Sequence, residues 1–114
     1  MFFSSHAFSQ NNYTVNGETL TLIEEVKGEL TLYYAIVDSN YRYFVKKDGE
    51  IIELTNTKVG GKYHMEFRKQ LEELTKNTNL NTSRVNFALY SLETFVNDYN
   101  ESQDDDYERN DSTI

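Results

Sequence analysis

From residue 10 to residue 54 apolar and polar side chains alternate with a period of two, broken at short intervals by turn-forming residues. Along Glu29–Val37, Leu30, Leu32, Tyr34 and Ile36 fall on one side; Thr31, Tyr33, Ala35 and Val37 fall on the other. Along Tyr41–Lys47, Tyr41, Tyr43 and Val45 oppose Arg42, Phe44 and Lys46. Such alternation predicts strands, because successive strand side chains point to opposite faces. The runs YTV, ETLTLIEEV, ELTLYYAIV, YRYFVKK and EIIELT are the candidates. Asn16-Gly17 and Asp48-Gly49 suit two-residue hairpins, whose central residues both need positive φ. Lys27-Gly28 and Asp38-Ser39-Asn40 mark two more reversals. Loops this short join antiparallel neighbours, so the runs form a meander. Alternation leaves open which face is covered.

The period then changes. After Gly60-Gly61, KYHMEFRKQLEELTKN places Tyr63, Phe67, Leu71 and Leu74 on one helical stripe, and its charged residues form a solvated face. RVNFALY alternates again at Val85, Phe87 and Leu89, which predicts a sixth strand. Ser91 is placed to N-cap a last helix, LETFVNDYN, with Leu92, Phe95, Val96 and Tyr99 at helical spacing. The expected architecture is α+β: an antiparallel meander of five to six strands with two helices, Lys62–Asn77 and Leu92–Asn100, packed on one face. Three segments follow: residues 1–9 as a signal-peptide remnant, 10–100 as the domain, and 101–114 as an acidic linker or tail.

Charge sharpens that division. Of the net −8, residues 101–114 contribute −5, which leaves a weakly acidic body. Such a body repels phosphate backbones, so nucleic acid is not an expected partner. The chain has no cysteine, which removes disulfides, thiolate nucleophiles and cysteine-ligated zinc. No apolar run is long enough to cross a membrane as a helix. At the start, Ala7-Phe8-Ser9 sets small residues one and three positions before a cut between Ser9 and Gln10, as a signal peptidase requires, with the apolar Met1-Phe2-Phe3 upstream. A full signal also needs a basic n-region and a longer apolar stretch, so a plain terminus and an exported chain starting upstream are both open on these residues.

FSQNNYTVNGETLTL, YRYFVKKDGEIIELTNTK, KYHMEFRKQLEELT and RVNFALYSLETFVNDYN, in that order, resemble the N-terminal soluble region of Bacteroidota (flavobacterial) proteins associated with an outer-membrane β-barrel. The resemblance covers about residues 8–100. It implies export, with Gln10 as the mature N-terminus and Met1 internal to a longer reading frame. It also implies a place in the periplasm or at the cell surface, ahead of a barrel beyond Ile114. That family has no established active site, so the resemblance assigns no residue a role.

Candidate chemistry is sparse. His6 falls in the signal remnant, and His64 has no cysteine or second histidine of the domain to work with, so nucleophilic dyads and triads lack their parts. Nucleotide-binding glycine motifs are absent. Asp104-Asp105-Asp106 lacks the alternating ligands and glycine of a calcium loop and reads as solvated; no metal or cofactor is expected. Asn12, Asn81, Asn100 and Asn110 head sequons, and Asp111-Ser112-Thr113 matches a short O-glycosylation pattern. The most suggestive stretch is YYAIVDSNYRYFVKK, where Tyr33, Tyr41, Arg42 and Tyr43 gather near one hairpin. Aromatic rings beside a cation suit binding of a cell-envelope protein or glycan, and paired rings also stabilise sheets. The expected function is therefore a non-enzymatic exported binding or assembly module. Its rivals are a small hydrolase using Glu24, Glu25 or Glu53 and a stand-alone cytoplasmic interaction protein.

Overall fold

The computed structural model describes residues 10–109. Five strands, β1 (Gln10–Val15), β2 (Glu18–Val26), β3 (Thr31–Val37), β4 (Asn40–Lys47) and β5 (Glu50–Leu54), form one antiparallel sheet in chain order. The meander is as expected, and its turns follow from their residues. Asn16 and Gly17 (φ 53° and 82°) and Asp48 and Gly49 (φ 53° and 82°) are the positive-φ pairs that a right-handed strand twist demands. Asp38 and Ser39 (φ 52° and 68°) make the same turn between β3 and β4 without a glycine.

The sheet is not flat. Its outer strands β1 and β5 come into contact, so the meander rolls toward a half-closed barrel. Rolling lets both faces bury apolar side chains. The concave face holds Val15, Leu20, Leu22, Tyr33, Ala35 and Phe44. The other face, carrying Leu32, Tyr43, Val45 and Leu54, is covered by α1 (Glu66–Leu74) and α2 (Leu89–Gln103). Tyr43 and Val45 thus face the helices.

Several local readings change. Lys62 and Tyr63 do not begin the first helix: Lys58–Val59 (β6) and Lys62–Tyr63 (β7) pair as a hairpin across Gly60-Gly61, and Tyr63 is exposed. α1 starts only at Glu66, where the Phe67 N–H donates to Thr55 O (2.8 Å) and the Glu66 carboxylate accepts from Thr57 N (2.9 Å). The segment predicted as a sixth strand is a loop running into α2. Gln70 explains why: its side chain donates to Glu53 O (2.9 Å) and accepts from Thr55 N (3.0 Å), occupying the β5 edge that another strand would need. Val85, Phe87 and Leu89 instead insert into the core as pegs. Ser91 is inside α2, not at its N-cap, which is Ala88; its Oγ accepts from Asn86 N (2.9 Å).

Glu101, Ser102 and Gln103, all exposed, form the last turn of α2. Beyond them the Tyr107 ring packs against the core while its hydroxyl donates to Asn97, and Arg109 pairs with Asp98 (2.9 Å) and Glu101 (2.8 Å). Arg109 thus ties this segment to α2, and the Tyr107 ring supplies its apolar anchor.

One side chain ties α2 to the sheet. Asn100, 1% exposed, accepts from Leu30 N (2.8 Å) and donates to Leu30 O (2.9 Å), bonding to backbone as a neighbouring strand would. Gly28 leaves room for it; a Cβ there would lie 2.4 Å from Asn100 Nδ2. Asn100→Ala should destabilise the fold by about 1–3 kcal/mol in denaturant titration, because it strands two buried backbone groups. Phe67→Ala and Phe95→Ala, in the same core, should each cost about 3–5 kcal/mol. Unchanged thermal midpoints would place those rings in solvent.

Candidate functional site

Of the four aromatic and cationic candidates, two are internal. Tyr33, 1% exposed, sits inside the rolled sheet with its ring 5.4 Å from that of Tyr13; burial first, then Tyr13, push its hydroxyl well above the usual range. Neither it nor the buried Tyr43 presents a face to solvent, so the sequence cluster splits between two sides of the sheet. Tyr43 acts from beneath: burial and then Tyr41 raise its hydroxyl pKa, while a hydrogen bond at the Leu89 backbone pulls the other way.

Tyr41 is the ring that reaches the surface, 49% exposed at the open end of β4 opposite Ile36, which is 54% exposed. Sequence reasoning passed over Ile36 and Tyr34. Both share the period-two face of Tyr41, and that face runs past the end of the helical cover. Tyr41 is near-parallel to Tyr34 (centroids 5.6 Å, 23°) and tilted on Tyr43 (6.1 Å, 31°). Tyr43 meets Phe87 edge-on (4.9 Å, 88°), and Phe87 meets Phe67 (5.0 Å). The exposed ring is thus the last of a ladder rooted in the core, and such contacts hold a ring in one orientation.

Arg42 points to the concave side and is fully engaged. Its Nε and Nη2 form a fork on Glu53 (2.9 and 2.8 Å), and Nη1 and Nη2 reach Glu18 (3.0 and 2.9 Å). These partners, Glu53 first, raise its pKa further, so it stays charged. The clamp joins β2, β4 and β5 and helps hold the roll, as bidentate charge-assisted pairs do. Tyr41, Arg42, Glu53, Asn56, Thr57 and Phe87 line a shallow cleft of about 250 Å³ at this end of the sheet.

The other candidates stand apart. Glu24 and Glu53 lie in one row across the sheet with the buried rings of Tyr33 and Phe44 between them, and Glu25 is the extra residue of a β2 bulge. His64 is exposed beside the β6–β7 hairpin. Asp104, Asp105 and Asp106 are exposed, and Asp106 N donates to the Asp104 carboxylate (2.9 Å). Among the described residues, no three His, Asp or Glu side chains converge as a metal site would need, and no helix is long and apolar enough to cross a membrane. Burial closes Asn100 to glycosylation, whereas Asn12 and Asn81 are exposed. His6, Ser9, Asn110 and Asp111-Ser112-Thr113 lie outside the described residues, and Gln10 is the first residue of β1. No protein-family model, curated protein or solved structure matches this chain.

The clamp carries a pH dependence. Its hydrogen bond from Arg42 holds the Glu18 carboxyl below its ordinary pKa. A carboxyl lowered in the folded state stabilises it above the unfolded pKa and loses that contribution as pH falls through the folded value. Wild type should therefore be more stable than Glu18→Gln at neutral pH, with the gap closing once pH falls below the ordinary glutamate range. Denaturant titration of both proteins across that range measures it.

Proposed function

We propose that this chain is an exported, non-enzymatic binding module of the cell envelope, and that it recognises a cell-envelope protein or glycan through the Tyr34–Tyr41 surface at the end of the β3–β4 hairpin. The observation that carries this reading is Tyr41 itself: a half-exposed ring held by stacking at the rim of a cleft. A ring already ordered loses little conformational freedom on binding, and tyrosine is enriched at binding hot spots. The neighbouring charges are satisfied within the fold, so recognition rests on ring surface and hydrogen bonds rather than on a free cation.

Export is supported by the small residues at Ala7 and Ser9, which suit a signal-peptidase cut between Ser9 and Gln10. The family resemblance supports a position ahead of an outer-membrane β-barrel. N-terminal sequencing of the native protein should begin at Gln10; a product that keeps Met1 would contradict export.

Recognition is tested by capture from outer-membrane extract. Tyr41→Ala should reduce capture about tenfold or more, the cost of losing a hot-spot ring. Tyr90→Ala, which removes a more exposed ring from α2, should leave it unchanged. Equal capture by the Tyr41 variant and wild type would move the recognition surface elsewhere.

A further inference from the structure

We infer that the Tyr41 cleft takes an uncharged glycan, one sugar ring stacking on Tyr41 while its hydroxyls bond to Glu53 and Asn56. The inference rests on the recognition surface proposed above and narrows its ligand. Three features of the cleft carry it.

The first is shape. Tyr41 stacks on Tyr34 (23°) and leans on Tyr43 (31°), so its half-exposed ring is backed by aromatic neighbours and held in one orientation. The negative face of such rings attracts the polarised C–H bonds that line one face of a pyranose. A cleft of about 250 Å³ has room for a single sugar ring.

The second is charge. Arg42 is the cation of this cleft, and two carboxylates, Glu18 and Glu53, already bind it. The trio carries net −1, within a chain of net −8, so a phosphate, a nucleic acid or an acidic glycan would meet repulsion. A neutral ligand meets none.

The third is the pairing of donors and acceptors. Each Glu53 carboxylate oxygen accepts from Arg42 and keeps a further lone pair, held in place by the fork. Asn56 Oδ1 accepts from Met65 N (2.9 Å), which fixes the amide and leaves its NH2 for a ligand. A sugar hydroxyl both donates and accepts, and this rim offers it one group of each kind. An extended peptide would instead need backbone to pair with, and Gln70 occupies the adjacent β5 edge.

The test uses the full chain with neutral oligomers of β-linked glucose, xylose and N-acetylglucosamine, followed by NMR of the tyrosine ring protons. At least one oligomer should shift the Tyr41 and Tyr34 signals in wild type, a readout that needs no variant. Tyr41→Ala should weaken that binding about tenfold or more, whereas Tyr41→Phe, which keeps the ring face, should retain it. Shifts confined to other rings, or no binding by any oligomer, would overturn the inference. If no sugar binds but Tyr41-dependent capture of an envelope protein persists, the ligand class is wrong and the surface stands. If neither depends on Tyr41, both readings fall.

Discussion

The structure depends on a side-chain amide standing in for a strand. Asn100 bonds to both backbone groups of Leu30 in a site shut off from water, where each unpaired group would cost free energy. That pairing sets α2 against the β2–β3 reversal, and through α2 it sets Leu92, Phe95, Val96 and Tyr99 into the core. Gly28 belongs to the same arrangement, since the amide occupies the volume a side chain would fill. Gln70 does a similar thing at the β5 edge, where its amide bonds to Glu53 O and Thr55 N. Two amides, one from each helix, thus satisfy backbone that the meander leaves unpaired.

Rolling the sheet explains how so small a chain keeps two apolar clusters. A flat meander with helices on one side would leave Leu22, Tyr33 and Phe44 in water, and an antiparallel sheet usually answers with polar residues there. Here β1 and β5 approach one another and the concave side closes over those residues, with Arg42, Glu18 and Glu53 at its rim. The candidate site lies where rim and helical cover both end. Its exposed ring continues a core ladder, so the site inherits the rigidity of the core.

Much of the fold was legible as pattern. Period-two alternation and the Asn16-Gly17 and Asp48-Gly49 turns specify the strands and their order, because they act over neighbouring residues. The departures arise where long-range contacts decide. Val85, Phe87 and Leu89 alternate like a strand, yet the edge they would join is filled by Gln70, some fifteen residues earlier in the chain. Gly60-Gly61 is a two-residue hairpin signal as well as a helix boundary, and Tyr63, which continues the helical spacing of Phe67 and Leu71, belongs to that hairpin. Of the site, the hairpin was legible and the exposed ring was not. Tyr33 falls on the opposite face of the sheet from Tyr41 and Tyr43, and only the end of the helical cover separates Tyr41 from Tyr43.

The Asn100–Leu30 pairing also differs from the sheet in the length of the loop it closes. The meander is made of contacts between consecutive strands, and such local contacts close short loops. Asn100 and Leu30 are 70 residues apart, and their pairing sets α2 against the β2–β3 reversal. The amide is therefore a long-range closure laid over a sheet of short-range ones, and the loop it closes joins α2 to strands far away in the sequence.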